Sequence, residues 1–544
     1  MTTMALPISQ DDLSSDDAEQ EARSMRGGWA GWLISVGFHL ALIGVMSSIY
    51  FLVSVPEVDL PPVRIATIEP PPTPRETPKP ERSLDVQVEL EATSEAEIPT
   101  PISQLDLPVE VSEREEETDS PIAKGREEAV ADSELGGSGA FMAVGAGGGS
   151  AGMFGARAGG GKKRAIGRFG GSKGSESAVD AALRWFKKHQ SPSGAWDAEK
   201  HNQNCIEAPK CEPGKHSQFG ELETNIAMTG YVVLCYLGAG YDHQTPNKYK
   251  QTVKKGIEYL LSAQKPDGSL GTINYQNAIA TMALTEAFAM TGDPALKTPS
   301  QLGVNTILAR QNRDLKAGVP KADAKSDPYG GFGWDYAEAT SRNDSSVSGW
   351  NVMALKSAIA AQLDVGNGMA GAKRWLERTW KLRNPDWAKL DPYKGESVFP
   401  YGIMSDTDKL YGDHLACVGA VCAVFLGHHA GDVMLETLAN HIMAKQTPTA
   451  YPCNTYFMYY NTLAIFQVGG ERWKRWNGSV RDMLVAAQRT GDGCFDGSWD
   501  WEGTEFHGHD IGRVLSTAYC CLSLEVYYRY AQVQGAEKDH GRKH

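Results

Sequence analysis

Three sets of residues in this 544-residue chain have types and spacings that can do chemistry. The first lies in WDAEKHNQNCIEAPKCEPGKHSQ (196–218), where Cys205 and Cys211 sit six apart between His201 and His216. Two thiols in a short loop can oxidise to a disulfide or share a metal with histidines. The second is Asp492-Gly-Cys494 with His507-Gly-His509-Asp510 downstream. Two loop histidines fall short of the four ligands of a tetrahedral zinc site, so no metal is expected there. The third is a series of polar residues, each opening an apolar stretch: Asn225, Asn277, Asp344, Asp413 with His414, Asn454 and Asp510. At helix starts such groups cap exposed N–H donors, or join them in holding an anion or a reacting group. Arg342, two residues before Asp344, favours its ionised form.

The elements that must position these groups repeat along the chain. LRWFKKHQSPSGAW (183–196) returns as IEYLLSAQKPDGSLG (257–271), as VNTILARQNR with GGFGW (304–334), and as VRDMLVAAQRTGDGCFDGSW (480–499). KRWLERTWKLRNPDW (373–387) and TLANHIMAKQTPTAYP (437–452) keep the helix and lose most of the turn. Each copy precedes a second, more apolar helix, over 225–240, 277–292, 346–363, 414–429, 454–470 and 512–530. Only a helix buried all round can be apolar all round, so the alternation predicts an inner ring inside an amphipathic outer one. The fold class is therefore all-α, an (α/α)6 toroid of six helical hairpins over 178–535. Its inner helices run the same way and gather their polar starts at one mouth. Trp334, Trp350, Tyr456, Phe457, Tyr459 and Tyr460 are expected to line its cavity with aromatic faces. At each turn Gly stops the helix, Gln bonds its last carbonyls and Trp packs across the junction.

QSPSGAW and QRTGDGCFDGSW resemble the QW repeat of the squalene and terpenoid cyclases, whose fold is shared with the protein prenyltransferases. The resemblance spans about 178–530. It implies an isoprenoid-type ligand, and it places Arg342-Asn-Asp344-Ser345-Ser346-Val347 on the cyclases' Asp-x-Asp-Asp-Thr-Ala motif, whose middle aspartate protonates the substrate. Asp344 is the match to that aspartate, and its acidic neighbours are missing here. Asp492-Gly-Cys494 is similar to the Asp-x-Cys of prenyltransferase zinc sites, but it falls in a turn rather than at an inner-helix start.

Ahead of the repeats, Trp29 to Val55 runs 27 residues without Asp, Glu, Lys or Arg, enough to cross a hydrocarbon core of about 30 Å. Arg23 and Arg26 precede this span while Glu57 and Asp59 follow it, which predicts a cytoplasmic N-terminus (1–28) and a toroid in the periplasm or outside. That placement favours a disulfide between Cys205 and Cys211. Ser35-x3-His39 with the proline-rich PPVRIATIEPPPTPRETPKPERS resembles the N-terminus of the TonB family over 29–82, which implies contact of Ser35 and His39 with a proton-channel motor. Residues 56–135 carry 21 acidic against 7 basic residues and 13 prolines, and 136–177 are glycine-rich and basic; both are expected to be disordered linker. A polar tail closes the chain over 536–544. The repeat region is close to neutral, which argues against a nucleic-acid surface. No cofactor is expected. The combined reading is a membrane-anchored toroid that binds a hydrophobic or isoprenoid-type ligand, with an active cyclase using Asp344, or a motor-driven scaffold, as the alternatives.

Overall fold

A computed structural model describes residues 36–41, 157, 159–313, 332–391, 398–429, 431–502 and 511–530. The chain forms two units, 1–101 and 102–544. In the first, the described residues 36–41 are helical, with Phe38 and Leu40 exposed. No helix among the described residues is long and apolar enough to cross a membrane, and most of the apolar stretch 29–55, Ser35 included, lies outside them.

The second unit is a closed ring. Its outer helices are α2 (Lys173–His189), α4 (Lys250–Ala263), α6 (Pro294–Ala309), α8 (Gly368–Arg383), α10 (Val433–Lys445) and α12 (Gly470–Ala487). The inner ones are α3 (Glu221–Gly238), α5 (Asn274–Thr291), α7 (Ser345–Ala360), α9 (Ala416–Phe425), α11 (Thr455–Val468) and α13 (Arg513–Arg529). Each inner helix packs on the next, and α13 returns to pack on α3. Burial follows the pattern. On α2 the buried residues Ala178, Val179, Ala182, Leu183 and Phe186 recur at helical spacing, whereas every residue of α13 is buried.

Gln, Gly and Trp stitch the outer ring, though not in the expected roles. Gln190 Nε2 donates to the carbonyl of Gly194 at 2.9 Å and to that of Thr252, in the first turn of α4, at 3.0 Å. Gln264, Gln311 and Gln488 do the same toward Pro299 on α6, Gly368 on α8 and Ala178 on α2. The amide therefore ties one hairpin to the next rather than capping its own helix, because Gln190, Gln264 and Gln488 leave their helices in extended conformation as the C-caps. Trp takes that duty. Trp196, Trp334 and Trp499 donate Nε1–H to Phe186, Ile307 and Leu484 in the last turn of their own outer helices, each at 2.8 Å. Gly194 does not end the helix either. Its φ is +89°, and a Cβ there would lie 2.2 Å from the Lys255 carbonyl oxygen, so glycine is needed for both conformation and approach.

Two expectations change. The domain is not wholly α: β1 (Arg342–Asp344), β2 (Gly402–Met404) and β3 (Leu410–Tyr411) form an antiparallel sheet with Asp344 opposite Gly402. The long connection from α8 to α9 folds back on the start of α7 and finds its backbone partners there. The stretch 136–177, expected as linker, also holds α1 (Gly159–Phe169) and the start of α2. Ala165, Ile166 and Phe169 pack on the hydrophobic core, which overrides the poor helix propensity of its glycines.

Candidate functional site

The starts of α3, α5 and α7 are linked in a chain that reaches the loop before α9. Glu223 on α3 accepts from the backbone and side chain of Thr272, just ahead of α5, at 2.7 and 2.9 Å. Asn274 at the start of α5 donates to the Asp335 carbonyl at 2.7 Å, in the loop before α7. The Ser345 N–H donates to the Tyr401 carbonyl at 2.7 Å, in the loop before α9.

Asp344 is fully buried as the N-cap of α7. Its Oδ1 accepts from the Ser346 N–H at 2.9 Å, the Ser346 hydroxyl at 2.6 Å and the Val347 N–H at 3.1 Å, and Oδ2 accepts from Arg342 at 2.8 Å. Both oxygens thus serve as acceptors, in a capping geometry that neutral and charged donors complete. Arg342 also pairs with Asp335. Partial burial works against its charge, but Asp344 and Asp335 more than offset this and hold its pKa up. Burial, then the Asp344 carboxylate, pushes the Tyr401 hydroxyl up.

The other mouth residues have varied duties. Asn225 bridges the Ala198 N–H and Asp197. Asn277 lies one turn inside α5 and accepts from the Leu270 N–H at 2.9 Å, so it serves the turn and not the helix start. Asn454 caps α11 by accepting from the Phe457 N–H at 2.9 Å. Asp413 is exposed and pairs with Arg383 at 2.6 Å. Asp510, His507 and His509 lie outside the described residues.

Below the mouth the aromatic side chains of the inner helices fill the ring's centre. Trp350 stacks on Tyr459 with centroids 6.0 Å apart and meets Tyr460 edge-on at 5.7 Å, and Tyr456 lies 4.9 Å from Tyr460. Tyr231 and Tyr519, which the sequence did not single out, join them through a hydroxyl–hydroxyl bond of 2.9 Å. Burial holds the hydroxyls of Tyr231, Tyr456, Tyr459 and Tyr460 well above their usual range, so they are neutral. Trp334 is not among them. Its ring lies in the turn after α6, where its N–H caps that helix.

Sequence reasoning also missed Phe219, Tyr336 and Tyr401, which with His414 and Phe457 form a collar of partly exposed rings around Arg342. Phe219 lies 5.8 Å from Tyr336, the Tyr336 and Tyr401 hydroxyls are 2.8 Å apart, Tyr401 stacks on His414 at 5.7 Å, and His414 is 6.5 Å from Phe457. The Arg342 guanidinium sits 5.5 Å from the Tyr336 and Tyr401 ring centres. Phe219, Tyr336 and Tyr401 come singly from loops, where no periodicity marks them. The collar can clamp a ligand between apolar faces, with the Arg342 guanidinium held among them by Asp344 and Asp335.

Cys205 and Cys211, expected as a disulfide, are free buried thiols. Their sulfurs face His189 Nε2 at 3.2 and 3.6 Å.

No family model matches the chain. It is 24% identical to squalene–hopene cyclase of Alicyclobacillus acidocaldarius over 226 residues, which is 41% of this chain and 32% of the cyclase, so the match spans about a third of that enzyme. Among solved structures it is similar to an inactive variant of the alpha-1,6-mannanase GH76A of Salegentibacter sp. HEL1_6, with TM-score 0.43, 14% identity, and coverage of 66% of this chain and 99% of that one. An unsaturated glucuronyl hydrolase specific for heparin gives TM-score 0.42, 11% identity, and coverage of 66% and 97%.

Proposed function

We propose that the toroid is a ligand-binding module whose mouth takes a hydrophobic, isoprenoid-type molecule, and that Asp344 organises this mouth rather than protonating a substrate. The observation that carries the reading is the aromatic collar of Phe219, Tyr336, Tyr401, His414 and Phe457 set around Arg342. Stacked rings above an aromatic core favour an apolar chain. A proton donor needs an O–H aimed at the alkene. Both Asp344 oxygens are instead engaged as acceptors at the α7 cap.

The test is mass spectrometry of lipids that co-purify with the full chain after incubation with a mixed membrane extract. A polyisoprenoid should be retained by the parent and fall about tenfold in the double variant Tyr401→Ala, Phe457→Ala, the loss expected for about 1.4 kcal/mol of contact. Equal retention by both would sink the proposal. Conversion of the lipid by the parent but not by Asp344→Asn would replace it with the cyclase reading.

We further infer that Trp29 to Val55 is a retained anchor placing the toroid in the periplasm or outside, with Ser35 and His39 facing a proton-channel motor. The support is the 27-residue uncharged run, the flanking charge asymmetry, and the four-residue spacing that puts Ser35 and His39 on one helix face. Protease protection of the toroid in sealed cells against its digestion after outer-membrane rupture tests the topology.

A further inference from the structure

The N-terminal and C-terminal hairpins meet where four metal-ligating side chains converge from three separate segments. His189 ends α2. Cys205 follows the 3-10 turn His201–Asn204, and Cys211 lies farther along the same insert. Cys494 sits in the 3-10 turn Gly493–Phe495 after α12, nearly 300 residues away. All four are at most 4% exposed.

We propose that His189, Cys205, Cys211 and Cys494 bind a structural zinc ion that clasps the ring at its closing seam. The ligand atoms of His189, Cys205 and Cys494 lie within 4.8 Å of one another, and Cys211 Sγ approaches His189 Nε2 to 3.6 Å while Cys205 Sγ approaches it to 3.2 Å. A tetrahedron with Zn–S bonds of about 2.3 Å and a Zn–N bond of about 2.05 Å has N···S edges of about 3.6 Å and S···S edges of about 3.8 Å. The two His189 distances sit near that N···S edge, and Cys211 Sγ, which donates to the Cys494 carbonyl at 3.2 Å, turns from that carbonyl to complete the set. A disulfide would need sulfurs about 2.05 Å apart.

The surroundings orient the set. His189 Nδ1 lies 2.7 Å from the Trp185 carbonyl, an acceptor only, so Nδ1 carries the proton and Nε2 turns its lone pair to the sulfurs. The Cys211 N–H donates to Cys205 Sγ at 3.4 Å, and the Glu207 N–H donates to Cys494 Sγ at 3.3 Å, as thiolate ligands require. Three cysteines and one histidine, buried with no position open to solvent, match a closed structural site rather than a catalytic one. On binding, three S–H bonds break, three protons pass to solvent, and three Zn–S bonds form beside the Zn–N bond.

The location gives the ion a task. The insert 196–218 holds one short turn and otherwise irregular backbone, so it has little ordering of its own. It meets the last turn directly: the Cys494 N–H donates to the Pro209 carbonyl at 3.1 Å, and Trp185 Nε1 donates to the Cys494 carbonyl at 2.8 Å. A zinc here fixes the insert and joins first hairpin to last.

The full chain, purified without chelator, should hold about one zinc by plasma mass spectrometry, and cobalt exchanged into it should give the thiolate-to-cobalt charge-transfer band of a tetrahedral site. Cys205→Ser and Cys494→Ser should each lower bound zinc about tenfold, while Cys494→His, which keeps a ligand, and Cys417→Ser, on α9, should retain it. Three results would overturn the proposal. One is a parent without zinc and with two of its nine thiols missing on titration in denaturant, which would be the disulfide. Another is a parent without zinc and with all nine thiols titrating. The third is zinc retained undiminished in both serine variants.

Discussion

Glu525 stands on α13 with its carboxyl fully buried, and the Cys521 thiol donates to its Oε1 at 3.3 Å. Burial pushes its pKa up to about 8, with Arg529, the Cys521 contact, Lys162 and Arg157 pulling only partly the other way. A carboxyl raised in the folded state contributes stability in full below its unfolded value of about 4.3 and loses it as pH rises toward 8, because the unfolded chain releases the proton first. The urea midpoint of the full chain in detergent should therefore fall between about pH 5 and 8, and Glu525→Gln should flatten the decline by more than about 1 kcal/mol across that window. Equal slopes for parent and variant would show that this carboxyl is charged in the fold. Glu525 and Asp344 are both fully buried acids, and the sequence separates them only in part. Asp344 was legible as a capping position because it precedes an apolar run. Glu525 sits inside such a run, and nothing local shows that a helix apolar on every side leaves a carboxyl there without water. The collar was illegible for a related reason: Phe219, Tyr336 and Tyr401 are single aromatics in loops, brought together only when the ring closes.

Between hairpins, the Gln amide carries the link. Gln488 Nε2 donates to the Gly497 and Ala178 carbonyls, both at 2.8 Å, and so joins α12 to α2. Gln446, at the same place after α10, has a buried Oε1 with no hydrogen-bond partner, and its turn lacks the Gly of the others. Two hydrogen bonds of about 1 kcal/mol each predict that Gln488→Ala lowers unfolding free energy by about 2 kcal/mol, and that Gln446→Ala changes it by less than about 0.5 kcal/mol. Denaturant titration of the two variants reads the difference directly, and equal losses would mean that the side chains act only through packing. The same contrast explains what the sequence showed of the elements. All six hairpins were legible because the outer helices are amphipathic and the inner ones apolar throughout, two patterns that burial imposes over many residues. The sheet Arg342–Asp344, Gly402–Met404, Leu410–Tyr411 was not, since strands of two or three residues carry no period and pair only because the α8–α9 connection folds over the mouth.

A ring of hairpins is stable only if its ends meet, and here the seam at the far side from the mouth is sealed by residues that composition assigned to linker. Arg157 is fully buried and pairs with Glu286 on α5 at 2.8 Å, while its Nε and Nη2 donate to the Arg529 carbonyl at the end of α13. Arg529 in turn pairs with Glu286 at 2.9 Å, so one carboxylate holds two guanidiniums from opposite ends of the sequence. From there α1 runs along α13, with Phe169 edge-on to Phe466 at 5.2 Å and its carbonyl accepting from Trp473 Nε1 at 2.9 Å. Glycine-rich sequence hid this because α1 owes its order to the surface it covers and not to its own propensity. Removing one member of a buried ionic set typically costs about 3–5 kcal/mol. Arg157→Met keeps Glu286 paired with Arg529, so the lower figure, about 3 kcal/mol, applies. A chain beginning at 178 loses the guanidinium, α1 and the first turn of α2 together, and it should unfold at markedly lower urea than one beginning at 150. If the two chains unfold at the same midpoint, α1 is an appendage and the contact of α13 with α3 closes the ring by itself. If the shorter chain is the weaker and Arg157→Met accounts for only part of the loss, the remainder belongs to the apolar face of α1, and the folded domain begins some twenty residues before the first repeat.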